Sequence, residues 1–522
     1  MNMKKIIIIA IVFVFAACSK DYLERRSLTQ ISEANFFRTE QDFVLALNGT
    51  YEVLQDRVQY SGSLNGTAGF PMYDNLGDNA FNSFKFEGPG NFMEANITPD
   101  HDMFTSLWNS LYKGIRRANT VLEKIEAAPT SVIPDARKQI IKGQALFLRS
   151  LFYSHLAIYY QDAPLVLKVQ ELEEAYVPKN TYQEISTQVI KDLKDAANFL
   201  PQSYPAAQYG YATKGAALGL LARFLLYNKD YQGVLDATAS VLTLGYTLNP
   251  SYAQLFTEQG ELSTEIIFSV RFIQDASNNG ELFSGVFLTA PKVDQQPMPN
   301  LVKDYYCTDG KPITTSPLYS PGTATNNTPQ KNNRDPRLLA SVYFRGDAFL
   351  VDRIAPVGVF TTNATTYGQK KYIRNANSPT GIAPFNPGGQ DFIVIRYADV
   401  LLMRAEAMVE LGQLTGVPAL VNQVRARVNM PTVEVAEGTG LSQAVLRNIV
   451  RHERRVELAF EGLRYYDLKR WGTVQDAFNR AKADNIANYS ARIGYLDRST
   501  IFPIPTAELR ANLKLEQNPV WK

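Results

Sequence analysis

The amino-acid sequence predicts an all-α fold, in which a scaffold of tetratricopeptide-like helix pairs carries a loop-rich, irregular subdomain. Residues 214–245 and 397–428 each contain a helical pattern, a short break and a second helical pattern. Each pair is close in length to a tetratricopeptide repeat of about 34 residues. A segment rich in Gly and Pro lies between the pairs and interrupts long helices. Stacked helix pairs bury a continuous core, but a non-repeating helical bundle would show the same pattern.

The chain begins with the layout of a secretory signal peptide. Lys4 and Lys5 precede an unbroken apolar run, Ile6 to Ala17, which is too short to span a bilayer. Small residues then lead directly into Cys18, as in a bacterial lipobox. We therefore expect cleavage after residue 17 and acyl chains on Cys18, with ordinary signal cleavage as the alternative. Several acyl chains hold a protein on a membrane, and the absence of an aspartate next to Cys18 favours the outer membrane.

The charge of the mature chain is balanced. Without Lys4 and Lys5, 51 basic and 51 acidic residues remain. Nucleic-acid-binding proteins carry a basic surface, so we expect no nucleic-acid partner. If Cys18 is lipidated, Cys307 has no partner and the mature chain contains no internal disulfide. Its 505 residues suffice for a large core without one.

Four helix candidates occupy the N-terminal half. Length and apolar recurrence predict helices over residues 144–160 and 181–200. Residues 214–245 read as two helices joined at Asn228-Lys229-Asp230, with Gly245 as a C-terminal stop. Small residues that let a neighbouring helix approach closely lie in the first of these two: Ala216, Ala217, Gly219 and Ala222.

The second pair, over residues 397–428, has one apolar stripe on its first helix. The stripe consists of Ala398, Leu401, Leu402, Ala405, Met408 and Val409. Gly412 and Gly416 separate this helix from the next, which runs to Val428. The spacing predicts a helix pair packed through that stripe.

Residues 271–390 have a different composition. They hold 10 Gly and 12 Pro in 120 residues, whereas the other 402 residues hold 37 Gly and Pro together. This predicts loops and short strands, where binding residues tend to lie. A second irregular stretch covers residues 61–100. The expected organisation is a signal peptide over 1–17, a lipidated tether and N-terminal segment over 18–40, a helical part over 41–270, a loop-rich variable subdomain over 271–390 and a C-terminal helical part over 391–522.

No catalytic constellation is recognisable. The three histidines are His101, His155 and His452, and no HExxH, GxSxG or P-loop motif occurs. We interpret Asp100-His101-Asp102 as a solvated loop, because adjacent residues rarely converge on one ion. His155 lies among aromatic residues, which is typical of a packed histidine. We therefore expect no enzyme activity, no metal centre and no cofactor.

One stretch, residues 73–86, combines amides, carboxylates and aromatic rings. The candidate ligand-binding residues in it are Tyr73, Asp74, Asn75, Asp78, Phe81, Asn82 and Phe84. Such a mixture suits a sugar, whose C–H faces stack on rings while its hydroxyls need fixed polar partners. It also suits a peptide, and its oxygen atoms suit Ca²⁺. The remaining alternative is a loop held in place by buried aromatic residues.

The stretch RHERRVELAFEGLRYYDLKRW, residues 451–471, is dense in charge. As a helix it places Ile449, Val456, Phe460 and Leu463 on one face together with Glu453. Carboxylates at Glu453, Glu457, Glu461 and Asp467 alternate with arginines, and Arg464 is close enough in sequence to pair with Asp467. A nucleic-acid helix would not neutralise most of its own charge. We expect internal ion pairs that hold the fold together.

The chain resembles the SusD/RagB family of Bacteroidetes outer-membrane lipoproteins over nearly its whole mature length. The blocks that are similar are DYLE after Cys18, ALFLRSLFYSHLAIYYQDAPLV, ATKGAALGLLARFLLY, STEIIFSV, NRDPRL, RYADVLLMRAEA, ERRVELAFEGLRYYDLKRW and FPIPTAELRANLKLEQNPVW. They occur in the family's order, which makes the resemblance specific.

The resemblance implies a tetratricopeptide-like fold and a function without chemistry. It implies a surface lipoprotein that captures a nutrient, an oligosaccharide in the first place, and delivers it to a SusC-like TonB-dependent transporter of the outer membrane. A peptide ligand, or a purely structural lid on the same type of transporter, are the alternatives. The similar blocks are structural in the family and do not locate the ligand.

Aromatic residues available to stack on a sugar lie in the irregular stretches. The three tryptophans, Trp108, Trp471 and Trp521, all fall in the structural blocks. The remaining candidates are Tyr73, Phe81, Phe84 and Phe86, or Phe283, Phe287, Tyr319 and Tyr367. This favours short oligosaccharides or peptides over long, starch-like glycans.

Overall fold

The structure is a computed structural model that describes residues 36–62, 69–274, 279–286, 295–323, 328–348, 364–373, 388–486 and 488–522. Its helices are α1 Glu40–Glu52, α2 Gly88–Met93, α3 Asp102–Ala127, α4 Asp135–Tyr160, α5 Tyr182–Phe199, α6 Lys214–Tyr227, α7 Tyr231–Leu242, α8 Tyr252–Leu255, α9 Phe283–Val286, α10 Pro299–Asp304, α11 Thr328–Lys331, α12 Pro336–Ser341, α13 Tyr397–Glu410, α14 Val417–Ala426, α15 Val433–Glu437, α16 Gln443–Glu457, α17 Arg464–Trp471, α18 Val474–Ala483 and α19 Thr506–Ala511. Its strands are β1 Ala80–Phe81, β2 Ile266–Val270, β3 Gln296–Pro297, β4 Val342–Phe344, β5 Tyr367–Gln369 and β6 Phe392–Arg396.

The all-α fold predicted from the sequence is confirmed. Successive helices pack on one another from α3 through α4, α5 and α6 to α7. The helix α13 then packs on α7, α14 and α16, so the C-terminal helices continue the N-terminal array. Stacked pairs of this kind bury a continuous apolar core between neighbours, as in tetratricopeptide repeats.

The first predicted pair has the boundaries that its local sequence specifies. The side chain of Thr213 accepts a hydrogen bond from the Ala216 amide and caps α6. Asp230 caps α7 in the same way through the Gly233 amide, and Asn228 to Asp230 form the break. Gly219 lies against the Ile395 side chain, where a Cβ would come within 2.9 Å of the Ile395 Cγ2. A small residue there lets α6 approach β6 closely.

The second pair, α13 and α14, forms its own core with α16. Ala398, Leu401, Leu402, Ala405 and Val409 are all buried in this cluster. Met408 is partly buried against it. The predicted stripe therefore does pack α13 against its neighbours.

Between Arg271 and Gln390 the described elements are short. None of the helices or strands there exceeds six residues in the described part of the segment. The strands form antiparallel two-stranded sheets, with β1 beside β3, β2 beside β6 and β4 beside β5. Because β2 and β6 flank the irregular segment, their pairing brings its two ends together.

The sequence pattern suggested one helix over residues 451–471, but the structure has two helices there. The helix α16 ends at Glu457, and α17 begins at Arg464. Between them Phe460 has φ +64° and Gly462 has φ +72°. A Cβ on Gly462 would lie 2.2 Å from the Phe70 carbonyl oxygen, so the tight approach of these two segments requires glycine.

Internal ion pairs are present, as predicted, but the arginines that pair with Glu457 and Glu461 come from outside the stretch. Glu457 accepts hydrogen bonds from Arg337 at 2.9 Å, from Arg396 at 2.6 Å and from Arg427. Glu461 pairs with Arg396 as well. The interpretation of this stretch as structural is supported, because every one of these carboxylates is buried and paired.

One pairing was wrongly predicted. Asp467 pairs with Arg454 and Arg470, not with Arg464. The Arg464 guanidinium instead reaches Asp78, far away in the sequence. Arg464 and Asp467 lie in the same helix, but Arg454 and Arg470 already hold Asp467, and the buried Asp78 is the partner of Arg464.

Within the described residues, no helix has the length and apolar character needed to cross a bilayer.

Candidate ligand-binding surfaces

Six of the seven residues predicted to bind ligand lie inside the protein. Tyr73, Asp74, Asn75, Asp78 and Asn82 are 0% exposed and Phe81 is 2% exposed, while Phe84 is partly exposed. Six of the side chains therefore have no surface to offer a ligand, and this part of the prediction needs correction. The alternative, a loop held in place by buried aromatic residues, describes the segment. Tyr73, for example, packs edge-on against Tyr159 at 5.2 Å between ring centroids.

Asp78 is the centre of an ion-pair cluster. It lies 2.7 Å from Arg464, 2.8 Å from Arg480 and 3.2 Å from Arg455. Burial opposes its ionisation, but the three guanidinium groups outweigh burial and hold the pKa of Asp78 well below its usual range. The same positive charges disfavour Ca²⁺ here, which was one alternative for this stretch.

Asp74 ties the segment to the C-terminal part of the chain. Its Oδ2 accepts hydrogen bonds from the Asn79 side chain at 3.0 Å and from the Phe460 amide at 2.6 Å. Burial raises the pKa of Asp74, and these two hydrogen bonds counteract the rise. Its role is to hold the turn at Phe460.

Phe84 and its neighbour Phe86 form the part of this segment that reaches the surface. Phe86 is 65% exposed, and its ring centroid lies 5.6 Å from that of Phe84. Asn82 accepts a hydrogen bond from the Phe84 amide at 2.8 Å and donates one to the buried Glu87 at 2.7 Å. Asn82 thus positions the ring pair, which is an aromatic surface on a hydrogen-bonded loop.

The other aromatic candidates divide into three groups. Phe283 is buried in the main core, and Phe287 lies outside the described residues. Tyr319 and Tyr367 are partly exposed, and the Arg334 guanidinium lies 5.4 Å from the ring centroid of Tyr319. These two rings remain available at the surface of the irregular segment.

The three histidines lie apart and play structural roles. His155 is buried between the hydroxyls of Tyr60 at 2.9 Å and Tyr466 at 2.6 Å, which confirms the interpretation of a packed histidine. The ring of His101 accepts a hydrogen bond from the Met103 amide and caps α3. Across the described residues, His, Cys, Asp and Glu side chains do not gather in groups of three that would hold a metal ion.

One groove in the described part of the chain lies between α3, the segment 164–177 and α19. It has a cavity volume of about 670 Å³, within the size range of small-molecule sites. Trp108, Tyr112 and Tyr176 line it, but Trp108 is only 3% exposed. Its accessible aromatic surface therefore comes mainly from Tyr176, which is 50% exposed.

A second set of cavities is lined by tyrosines. Three adjoining cavities of about 410, 220 and 430 Å³ all share Tyr211. We call this surface the tyrosine groove and define it by five partly exposed residues: Tyr51, Tyr204, Tyr209, Tyr211 and Tyr246. It runs across α1, the segment before α6 and β2, on the helical scaffold.

Comparison with known proteins gives the family of this chain. A family profile described as "SusD family" matches residues 264–521, and one described as "Starch-binding associating with outer membrane" matches residues 21–226. The chain belongs to the SusD/RagB family. The resemblance seen in the sequence is confirmed.

Relatives of this SusD-family protein match it from end to end. A SusD-like protein of Formosa agariphila, P25, is 28% identical over 97% of this chain and 96% of the relative. A solved SusD-like carbohydrate binding protein of Bacteroides fragilis has a TM-score of 0.78 and 28% identity, over 92% of this chain and 100% of its own. Another SusD-like protein of that organism has a TM-score of 0.78 and 25% identity, over 95% of this chain and 100% of its own.

Sequence reasoning about this SusD-family protein missed the tyrosine groove. The only local signal was Tyr209-Gly210-Tyr211 before a helix, and nothing in it points to Tyr51. Cys18, the predicted lipidation site, lies outside the described residues. Cys307 is buried as a free thiol.

Proposed function

We propose that this protein is a non-catalytic lipoprotein of the outer membrane that captures an oligosaccharide at the cell surface. In this proposal Cys18 carries the lipid, and the protein delivers its ligand to a SusC-like TonB-dependent transporter. No cofactor takes part.

The observation that carries the proposal is the full-length match to a SusD-like carbohydrate binding protein. The two chains share 28% identity, and the match covers all of the solved chain. The description of the N-terminal family profile, which associates it with the outer membrane, supports the location. Capture without turnover needs only a surface that binds, and the exposed ring of Phe86 offers a candidate.

Within this proposal, Phe84 and Phe86 are the primary contact for the sugar. Phe86 is exposed and Phe84 is partly exposed, on a loop in which Asn82 bonds to the Phe84 amide and to Glu87. The Phe84 carbonyl oxygen lies so close to Gly90 that a Cβ there would be only 2.2 Å away. The loop therefore packs tightly against α2. A rigid loop loses little conformational entropy on binding, which favours affinity.

Calorimetric titration of the full-length lipoprotein in detergent tests the proposal. The probes are neutral hexasaccharides with α-1,4, β-1,3 and β-1,4 linkages, and a set of hexapeptides. We expect one linkage type to bind saturably, and changing Phe84 and Phe86 together to Ala to weaken binding about tenfold through the loss of ring contacts. Val435→Ala, at a residue 76% exposed on α15, is the matched control and should bind normally.

Other outcomes separate the alternatives. Binding of peptides alone would replace the oligosaccharide with a peptide ligand. If no probe binds but the protein co-purifies with a TonB-dependent transporter, the purely structural lid is correct. A Cys18→Ala variant that still fractionates with outer membranes would contradict the lipid anchor.

A further inference from the structure

We propose that the tyrosine groove is a second carbohydrate-binding site, which takes a neutral oligosaccharide chain along the helical scaffold. The inference goes beyond the proposed function, because the groove shares no lining residue with the loop of Phe84 and Phe86. The deciding observation is a row of partly exposed rings whose hydroxyls are already held by the protein.

The rings of Tyr51, Tyr211 and Tyr204 follow one another along the groove. The centroids of Tyr51 and Tyr211 lie 5.5 Å apart, and those of Tyr211 and Tyr204 lie 5.9 Å apart. Each ring is partly exposed. The planes of neighbouring rings are inclined by 53° and 67°, so the exposed parts of the three rings form a continuous but angled apolar wall along which successive units of a sugar chain can pack.

Hydrogen bonds fix the direction of these rings. The Tyr51 hydroxyl donates to Gln144 at 3.0 Å and accepts from the Ala212 amide at 2.9 Å. The Tyr211 hydroxyl donates to Asn48 at 2.8 Å. Gln144 also donates to the Tyr204 hydroxyl at 3.1 Å. Because the hydroxyls are engaged, the exposed carbon surfaces of the rings are what a ligand can contact, and these surfaces are preorganised.

Tyr209 and Arg271 form the polar end of the groove. The Arg271 guanidinium lies over the Tyr209 ring, 4.7 Å from its centroid, and the Tyr209 hydroxyl donates to the Glu261 carbonyl. Gly210, with φ +107°, separates Tyr209 from Tyr211, and a Cβ there would come within 2.5 Å of the Arg271 Cδ. A glycine therefore allows the arginine side chain to lie in the groove beside the rings, where it can donate to sugar hydroxyls.

The charges around the groove favour a neutral ligand. Glu52 pairs with Arg117, and Arg137 pairs with Glu40 at 2.8 Å. Arg271 lies 3.7 Å from the buried carboxylate of Asp391. Since each of these charges already has a partner of opposite sign, the groove has no excess charge to attract an acidic or basic ligand.

The groove is poorly suited to an extended peptide. Peptides commonly add as a strand to an open sheet edge. Here β2 lines the groove and, among the described strands, pairs with β6 on one side only, but all five of its residues are buried, so little of the strand is accessible to a peptide backbone. Recognition must come from side chains, which favours a ligand with flat apolar faces and hydroxyls.

Filling the groove tests the inference without removing any contact of the fold. Ala207 is exposed and lines two of the three cavities, whereas its exposed neighbour Ala206 lines none of them. Ala207→Trp should block the groove, and Ala206→Trp is the matched control. Tyr209→Leu is a second variant that removes a ring. Full-length lipoprotein in detergent is titrated calorimetrically with the same neutral hexasaccharides, and thermal melting confirms that each variant folds.

We expect two binding events in the wild type. Ala207→Trp and Tyr209→Leu should each weaken one of them about tenfold, while the combined change of Phe84 and Phe86 to Ala weakens the other. Binding that the phenylalanine variant abolishes and both groove variants leave unchanged would overturn the second site and leave the proposed function intact. Binding that only the groove variants abolish would keep the groove and overturn the assignment of Phe84 and Phe86. A groove that responds only to the hexapeptides, or a wild type that binds none of the hexasaccharides, would overturn the inference.

Discussion

Arg464 and Asp78 form a bidentate ion pair between residues 386 positions apart in the sequence. The Arg464 Nε donates to Asp78 Oδ1 at 2.7 Å, and Nη2 donates to Oδ2 at 3.0 Å. Both side chains are buried. The pair fastens the segment before β1 to α17, and so joins the N-terminal and C-terminal parts of the chain.

Replacing Asp78 should therefore destabilise the fold. In Asp78→Ala the buried guanidinium groups of Arg464 and Arg455 lose a carboxylate, and we expect a loss of about 3–5 kcal/mol in the free energy of unfolding. Urea denaturation followed by circular dichroism measures it. The matched control is Asp135→Ala, which breaks an exposed pair with Lys138 at 3.5 Å and should cost less than about 1 kcal/mol. Equal effects of the two changes would contradict the role of Asp78.

Gly462 should tolerate no side chain. Its φ of +72° disfavours any other residue, and a Cβ would meet the Phe70 carbonyl at 2.2 Å. Gly462→Ala combines backbone strain with this clash, so it should lower the melting temperature more than Gly245→Ala. Gly245 has φ +83°, but no atom lies within 4 Å of a Cβ placed there. Gly245→Ala therefore measures the effect of backbone strain without a steric clash. Similar melting temperatures for the two variants would mean that the backbone at Phe70 shifts to relieve the clash, and would contradict the prediction.

His155 should stay neutral throughout the physiological range. Burial, together with the positive charge of Arg223, lowers the pKa of His155 to about 3. Because the unfolded chain takes up the proton near pH 6.5, His155 favours the folded state above that pH, and this contribution is lost as the pH falls toward 3. An NMR titration in which the His155 ring signal, assigned with a His155→Gln variant, shifts between pH 5 and 8 would contradict this.

Glu261 and Asp391 should make stability fall as the pH rises. The Asp391 amide donates to Glu261 at 2.9 Å, and burial raises the pKa of Glu261 to about 8 and of Asp391 to about 6. The folded protein therefore retains protons that the unfolded chain releases near pH 4. The resulting stabilisation is present below pH 4 and is lost by about pH 8. Melting temperatures measured from pH 5 to 9 should decline less in Glu261→Gln; parallel curves for the two proteins would contradict the assignment.

The same pair lies behind the tyrosine groove, through Arg271 and Tyr209. Asp391 lies 3.7 Å from the Arg271 guanidinium, and Glu261 accepts from the Tyr209 hydroxyl through its carbonyl. Protonation of Asp391 removes the negative partner of Arg271, so the Tyr209 ring that Arg271 covers should be held less firmly at pH 5 than at pH 9. The fluorescence of a wild-type sample and of Tyr209→Leu, compared from pH 5 to 9, would show whether the ring environment changes.

The helix pairs show how much local sequence can determine. The break at Asn228 to Asp230 and the boundaries of α6 and α7 follow from capping side chains and small residues within a few positions of each other. The charge pattern of residues 451–471 also indicated buried ion pairs correctly, because unpaired carboxylates among apolar residues would be too costly. Each of these inferences starts from neighbours along the chain, although the arginines that pair with Glu457 are distant in sequence.

The ligand surfaces could not be predicted in that way. The residues next to Asp78 in the sequence do not reveal whether it binds a sugar or an arginine. Its partner Arg464 is 386 positions away. Tyr51 and Tyr211 likewise come together only because α1 packs on the segment before α6, where hydrogen bonds link residues 161 and 163 positions apart.

The sequence by itself determined the helical class, the paired helices, the irregular segment and the family. Tertiary structure alone decided which polar and aromatic residues are buried and which are exposed. The reason is physical: helix formation and capping are governed by interactions within a few residues, whereas the burial of Asp78 and the exposure of Phe86 depend on surfaces that meet only when the chain has folded.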